Sequence, residues 1–406
     1  MQTTHSYSWF SLALLWFGAA VSVAEIMTGG MIAAAGLWPG LWAILLGHIV
    51  GVILLGLVAL IGFREKMPSI MCTRISFGQR GSWLLSVANV IQLIGWAAVM
   101  VQQSGLALGG IINKLWNIEA TTIAIVIMGA LIGLWSLWEV EGRQRKNTIT
   151  VILLFLLTVF ISWVLWGKAG DASAISVSPE PPMPFSKAFE LSFIMPLSWL
   201  PLVADYAYRS RSASAATLAP SLGYLVGSLW MYGIGFIGAL YTGEADPTPM
   251  LLAAGLGIVA LSIVALSTIM TTFLDVYSAV ASARNIVPEL PEKGLSIAVI
   301  SIGTLLALYS NIYENFLMFI GAIFAPMAAI LLTDYFLLRH DARSSRFNFS
   351  GLISLGLGFA AFFICSRLGS PLGGGLSSIV LTAIIHVLIR KSARSHLLKA
   401  STTTKS

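Results

Sequence analysis

Residues 9–35 read WFSLALLWFGAAVSVAEIMTGGMIAAA, a run long enough to cross a bilayer whose single ionisable residue, Glu25, is followed closely by Thr28, Gly29 and Gly30. A carboxylate near the bilayer centre costs about 2.5 to 3.5 kcal/mol even on insertion scales, and each glycine in a helix costs about 1 kcal/mol relative to alanine. The segment therefore joins a charge that needs a partner to a helix weakness, expected here at the glycines. That combination points to a binding site rather than a strut.

The rest of the chain has the same character. Of 406 residues, 57% are hydrophobic and 10% charged, and the mean hydropathy is +0.88. So much apolar surface does not fit inside a water-soluble core, and the class is an all-α integral membrane protein. The net charge of +6 comes from short basic clusters between apolar runs, the pattern of cytoplasmic loops, so nucleic acid is not an expected partner. Cys72 and Cys365 have no CxxC or metal-site spacing. No basic region and small-residue cleavage site precede the first apolar run, which is expected to be retained as a spanning helix.

Apolar runs near 9–35, 37–63, 82–113, 121–140, 149–167, 188–208, 219–242, 250–283, 295–309, 311–335, 350–367 and 373–390 predict about twelve spans. The 250–283 run is long enough to tilt or to contain an interfacial turn, and the 295–309 run is short. With the N-terminus inside, nineteen lysines and arginines fall in inside loops, at Arg390 and in the 391–406 tail, against Lys114, Lys168, Lys187 and Arg367 outside. This bias predicts a cytoplasmic (inner) membrane location with both termini cytoplasmic.

The sixth span contains Pro196-Leu197-Ser198-Trp199-Leu200-Pro201, where two prolines remove backbone donors. Interrupted first and sixth spans, running in opposite directions, are the pattern of an inverted-repeat secondary transporter. The predicted division is 1–167 for the first repeat, 188–335 for the second and 350–390 for two extra helices. Backbone carbonyls freed near such breaks can coordinate a cation.

Gln92 and Trp96 share a helical face in the third span, where an amide and an indole can read and stack on a planar ring. Such stacking is worth about 1 to 3 kcal/mol. Trp96 also has the simpler reading of packing against lipid or a neighbouring helix. Trp199, beside the sixth-span break, is a second candidate wall. In the eighth span Thr268, Thr271 and Thr272 can complete an oxygen cage for sodium, although membrane Ser and Thr more often bond their own backbone. Asp275 in the same span needs a partner, a proton or a water-filled path. Asp205 and Asp334 lie near Arg209 and Arg339, which suggests interfacial ion pairs. His48 and His386 lie within spans without metal-ligand neighbours and read as packing or polar glue. Gly233, Gly235 and Gly238 spell GxGxxG inside an apolar helix and are read as close packing, not dinucleotide binding. With no HExxH, GxSxG or Walker loop, neither an enzyme nor an ATP-driven pump is expected.

Met27-Thr28-Gly29-Gly30, Arg74-Ile75-Ser76-Phe77-Gly78-Gln79-Arg80-Gly81-Ser82-Trp83 leading to Gly95-Trp96, Ala204-Asp205-Tyr206 and Thr271-Thr272 resemble the cytosine permease branch of the nucleobase:cation symporter family (NCS1). The stretches Ala24–Gly30 and Gln92–Trp96 are most similar to its hydroxymethylpyrimidine transporters. The resemblance implies a LeuT-like five-plus-five inverted repeat with two C-terminal helices. It further implies a sodium ion held by backbone oxygens of Gly18 and Val21 with Thr268, Thr271 and Thr272. Substrate contacts implied in the same way are Ser22, Glu25, Gln92, Trp96, Ser198, Trp199, Phe273 and Tyr277, with Asp275 beside them. The chain departs from the cytosine permease pattern at Ser22, at the displaced amide of the third span and at Phe273, Leu274 and Asp275, which argues against cytosine itself.

The expected function is import of a small pyrimidine, hydroxymethylpyrimidine above all, by alternating access with sodium as coupling ion. A proton on Glu25 or Asp275 is the alternative ion, cytosine or another nucleobase the alternative solute, and a passive facilitator the alternative class. A carboxyl group can pair with the ring nitrogen and exocyclic amine of an aminopyrimidine, so Glu25 is the expected polar anchor, with an interhelical hydrogen-bond partner as its simpler reading. Beyond substrate, ion and lipid bilayer, no organic cofactor or obligatory protein partner is expected.

Overall fold

The computed structural model describes residues 6–139, 155–156, 158–164, 167, 182–253, 255, 257–309 and 313–403, without the side chains of 138–139, 257–267, 269–271, 273 and 394–403. Its main elements are helices α1 (Trp9–Ala20), α2 (Val23–Ile32), α3 (Leu37–Glu65), α4 (Gly81–Trp116), α5 (Thr121–Glu139), α6 (Phe185–Ser198) and α7 (Leu200–Ala207). They continue with α8 (Ala213–Thr242), α9 (Gly257–Ile286), α10 (Glu292–Ala307), α11 (Tyr313–Leu332), α12 (Phe349–Arg367) and α13 (Gly373–Thr403). Among the described residues seven helical spans are long and apolar enough to cross a membrane, or eight when α1 and α2 count as one. About half of the expected fifth span, 149–167, lies outside the described residues. The long eighth run divides into a short helix, Pro247–Ala253, followed by α9.

Local chemistry sets several helix ends. Ser8 and Ser212 accept hydrogen bonds from Ser11 N and Ala215 N, capping α1 and α8. Gly243, at φ 77°, closes α8 in the left-handed conformation that glycine adopts without steric cost. The apolar faces then pair: α1 and α2 pack along α8, α3 along α6, α4 along α9, and α12 against α13.

The first span breaks at Val21–Ser22, not at the glycines, and its two parts meet at a 60° bend. Ser22 is extended at φ −136° and ψ 146°, and its hydroxyl oxygen accepts from Ala24 N at 3.2 Å, starting α2 afresh. Gly29 and Gly30 lie inside α2 and serve close packing. A Cβ on Gly29 would meet the Tyr232 carbonyl oxygen at 2.3 Å, and one on Gly30 the Ala245 carbonyl oxygen at 2.4 Å. The GxGxxG segment packs similarly, since a Cβ on Gly235 would lie 1.8 Å from the Ile26 carbonyl oxygen. Gly233, however, faces open space.

The sixth span is interrupted more gently. α6 and α7 together form one 23-residue span, with Pro196 inside α6 and Pro201 in the first turn of α7. At the junction Leu202 N bonds the Trp199 carbonyl, which leaves the Ser198 carbonyl for a partner outside its own helix.

The expected ion pairs of Asp205 and Asp334 take other forms. Asp205 accepts from Ser69 N at 2.9 Å and the Ser278 hydroxyl at 3.2 Å. Asp334 pairs with His386 at 2.9 Å in a fully buried contact. Burial replaces the expected arginines by these shorter-reach donors, and Arg209 turns to the Tyr208 hydroxyl.

Candidate functional site

A small cavity lies at the α1–α2 break. Ala19, Ser22, Ala24 and Glu25 line it from the break, Trp96 and Met100 from α4, Met195 and Trp199 from the α6–α7 junction, and Asp275 from α9. Five of the nine lining residues were expected from the sequence: Ser22, Glu25, Trp96, Trp199 and Asp275. Because α2 begins here, its unpaired amides give the wall a partial positive charge, which favours an electron-rich group.

The two carboxylates of the wall differ in kind. Glu25, in the first turn of α2, accepts from the Tyr224 hydroxyl through Oε1 at 2.5 Å and from Ser228 through Oε2 at 2.7 Å. Both oxygens are thus engaged by α8. Asp275 is only 4% exposed, and no hydrogen bond or ion pair reaches it among the described residues. A buried carboxyl without a partner in a cavity wall is a candidate ligand group.

The remaining expected residues fall around the cavity rather than in its lining. Gln92 Nε2 donates to the Ser198 carbonyl at 2.8 Å, using the acceptor released at the α6–α7 junction. Its Oε1 is buried without a partner among the described residues. The Ser198 hydroxyl donates to the Met195 carbonyl at 2.6 Å. Tyr277 is 43% exposed, with its ring centroid 6.3 Å from that of Tyr206. The side chains of Phe273 and Thr271 lie outside the described residues.

Of the expected sodium ligands, Gly18 and Val21 occupy the C-terminal end of α1, where the Gly18 carbonyl accepts from Val21 N at 3.2 Å. Thr268 and Thr272 are fully buried, and the Thr272 hydroxyl donates to the Thr268 carbonyl at 2.6 Å. That bond commits the hydroxyl's hydrogen and leaves oxygen lone pairs, the donor type a hard cation takes.

Sequence reasoning missed Tyr224 and Ser228, and read His48 only as packing or polar glue. His48 Nε2 lies 2.6 Å from Ser228 Oγ, so it joins the same network as Glu25. The only sequence signal for that network is the cost of a charge at position 25, which names no partner. Met100 was also missed, although its sulfur lies 3.8 Å from Ser22 Oγ.

The model of a family described as permeases for cytosine/purines, uracil, thiamine and allantoin matches residues 2–367. The chain belongs to this family. The permease is 25% identical over 390 residues to the cytosine permease of Escherichia coli strain K12, covering 93% of this chain and 91% of that one. It is 23% identical over 360 residues to the hydantoin permease of Microbacterium maritypicum, covering 81% and 73%. Among solved structures, the inward-facing conformation of Mhp1 superposes with a TM-score of 0.81 at 21% identity, covering 96% of this chain and 92% of that one. A closed conformation of Mhp1, a nucleobase-cation-symport-1 family transporter with bromovinylhydantoin bound, gives 0.80 at 20% identity, covering 96% and 93%. The permease therefore has the LeuT-like fold of an NCS1 transporter and is a multi-pass membrane protein. Its activity is movement of a small nucleobase-like solute, not chemical conversion.

Proposed function

We propose that this permease imports a small pyrimidine, hydroxymethylpyrimidine or a close relative, by cation symport with alternating access. The observation that carries the reading is the Asp275 carboxyl, which has no partner among the described residues, in a cavity whose wall also holds the indoles of Trp96 and Trp199. A flat ring offers its faces to indoles, and an aminopyrimidine offers a ring nitrogen beside an exocyclic amine. A carboxyl group matches that edge with two hydrogen bonds. We assign this anchor to Asp275 because both oxygens of Glu25 already accept from α8.

For the coupling ion, the end of α1 and the buried Thr268 and Thr272 supply oxygen donors suited to sodium. A helix C-terminus adds favourable negative potential. In this reading the 1–167 and 188–335 repeats enclose the cavity, and the basic loops keep both termini cytoplasmic.

Thermal-shift measurements on purified protein with hydroxymethylpyrimidine, cytosine, uracil, hydantoin and thiamine, with and without sodium, test the reading. The expected result is the largest stabilisation by an aminopyrimidine, increased by sodium. Stabilisation by hydantoin or uracil but by no aminopyrimidine would overturn the substrate assignment. Uptake that equilibrates the solute without concentrating it would replace symport by facilitated passage.

A further inference from the structure

Glu25, Ser228 and His48 form one chain of short contacts across α2, α8 and α3. Ser228 Oγ lies 2.7 Å from Glu25 Oε2 and 2.6 Å from His48 Nε2. All three residues are buried, with Glu25 1% exposed and the others not at all.

Each contact of this length between polar heavy atoms needs one hydrogen, so the protons can be counted. His48 Nδ1 lies 2.9 Å from the Ile44 carbonyl oxygen, which can only accept. It also lies 2.7 Å from Ser192 Oγ, whose own hydrogen goes to that same carbonyl at 2.7 Å. Nδ1 therefore carries a hydrogen, and Nε2 of a neutral ring is an acceptor. Tyr224 supplies no hydrogen to the Ser228 contacts, because its own goes to Oε1 of Glu25. With Glu25 ionised and His48 neutral, the single hydrogen of Ser228 faces two acceptors. One contact would then set lone pair against lone pair in a buried site, a costly arrangement. One further proton, on Glu25 Oε2 or on His48 Nε2, satisfies both contacts at once.

We propose that Glu25 and His48 hold one proton between them through Ser228, and that this proton is a coupling ion of the permease. The second half rests on the symport reading above. Glu25 links the two, since it belongs both to the chain and to the cavity wall. The titratable groups facing the chain are Tyr224 and Tyr232 on α8, Tyr313 on α11 and Asp275 on α9, across the cavity. The phenols keep their protons at neutral pH. Glu190 of α6 is directed elsewhere, to the Gly375 amide at 2.9 Å. His48 also packs edge-on against Tyr232, with ring centroids 4.5 Å apart, so its position is held from two sides.

Two readouts test the inference. The first needs no solute: the melting temperature of the purified protein is followed from mildly acidic to alkaline buffer. The wild type is expected to lose stability as the shared proton leaves, whereas Glu25→Gln, whose amide hydrogens do not titrate, follows a flatter profile. Parallel profiles would remove the shared proton. The second uses proteoliposomes with the membrane potential clamped, comparing pyrimidine uptake with and without an inward proton gradient. The ratio is expected to be several-fold in the wild type and to fall to one in His48→Gln. An unchanged ratio in that variant would overturn the coupling role. Diverging melting profiles in a protein that takes up no pyrimidine would leave the proton site standing and defeat the substrate reading instead.

Discussion

Tyr224 donates its hydroxyl hydrogen to Glu25 Oε1 across 2.5 Å, tying the middle of α8 to the first turn of α2. The phenol ring also packs edge-on against Trp16 and Trp199, with centroids 6.4 and 6.3 Å away. Tyr224→Phe keeps that ring packing and removes only the hydrogen bond. Losing one partner of a buried charged or polar group costs about 1 to 3 kcal/mol. The melting temperature of the purified variant should fall accordingly. An unchanged value would mean that Glu25 Oε1 finds another donor.

Asp275→Ala tests the proposed anchor. Alanine removes both carboxyl oxygens, whereas asparagine would keep a donor and an acceptor for the same ring nitrogen and amine. Loss of a charge-assisted hydrogen bond is worth about 1.5 to 3 kcal/mol, roughly a ten- to hundredfold weaker binding. Membrane insertion should be unaffected, because no partner among the described residues is orphaned. Binding measured by thermal shift at wild-type strength would move the anchor away from Asp275.

The α2–α8 contact gives a structural control. Gly235 approaches the Ile26 carbonyl so closely that an added methyl would sit 1.8 Å from the oxygen, while a methyl added at Gly233, two residues away, would meet nothing within 4 Å. Gly235→Ala should force the helices apart, at a cost of about 1 to 3 kcal/mol, and Gly233→Ala should be neutral or slightly stabilising. Melting temperatures of the two variants decide this directly. Equal values would deny the close approach.

The contrast between glycine and serine also explains what was legible in the chain. The charge at Glu25 marked the right segment, and the indoles of Trp96 and Trp199 were found because aromatic residues beside an amide or a proline break stand out locally. The position of the first break was misread, because Gly29 and Gly30 carry the lowest helix propensity although their role is contact with Tyr232 and Ala245. The correct signal was present as Ser22-Val23-Ala24-Glu25, the serine and glutamate spacing of a helix start. It forms only in part, since Ser22 caps Ala24 N while Glu25 turns to α8. Ser228 and Tyr224 were not legible at all, and His48 only as packing or polar glue without a named partner. Tyr224 and Ser228 meet Glu25 across sequence separations of up to 203 residues, His48 joins through Ser228, and only tertiary packing brings them together.

Thr272→Val addresses the sodium ligands with little structural disturbance. The Thr272 hydroxyl donates to the Thr268 carbonyl of its own helix, a local bond whose loss a membrane helix tolerates, and valine keeps the branched shape. The variant should therefore melt close to the wild type in sodium-free buffer. If its oxygen is a cation ligand, added sodium should stabilise the wild type but not the variant, because stabilisation by a ligand grows with the ratio of its concentration to its dissociation constant. The comparison is internal to each protein, so a small loss of intrinsic stability does not confuse it. Equal sodium-induced shifts in the two proteins would exclude the Thr272 hydroxyl from the cation site, and no shift in either would leave the shared proton of Glu25 and His48 as the better supported coupling ion.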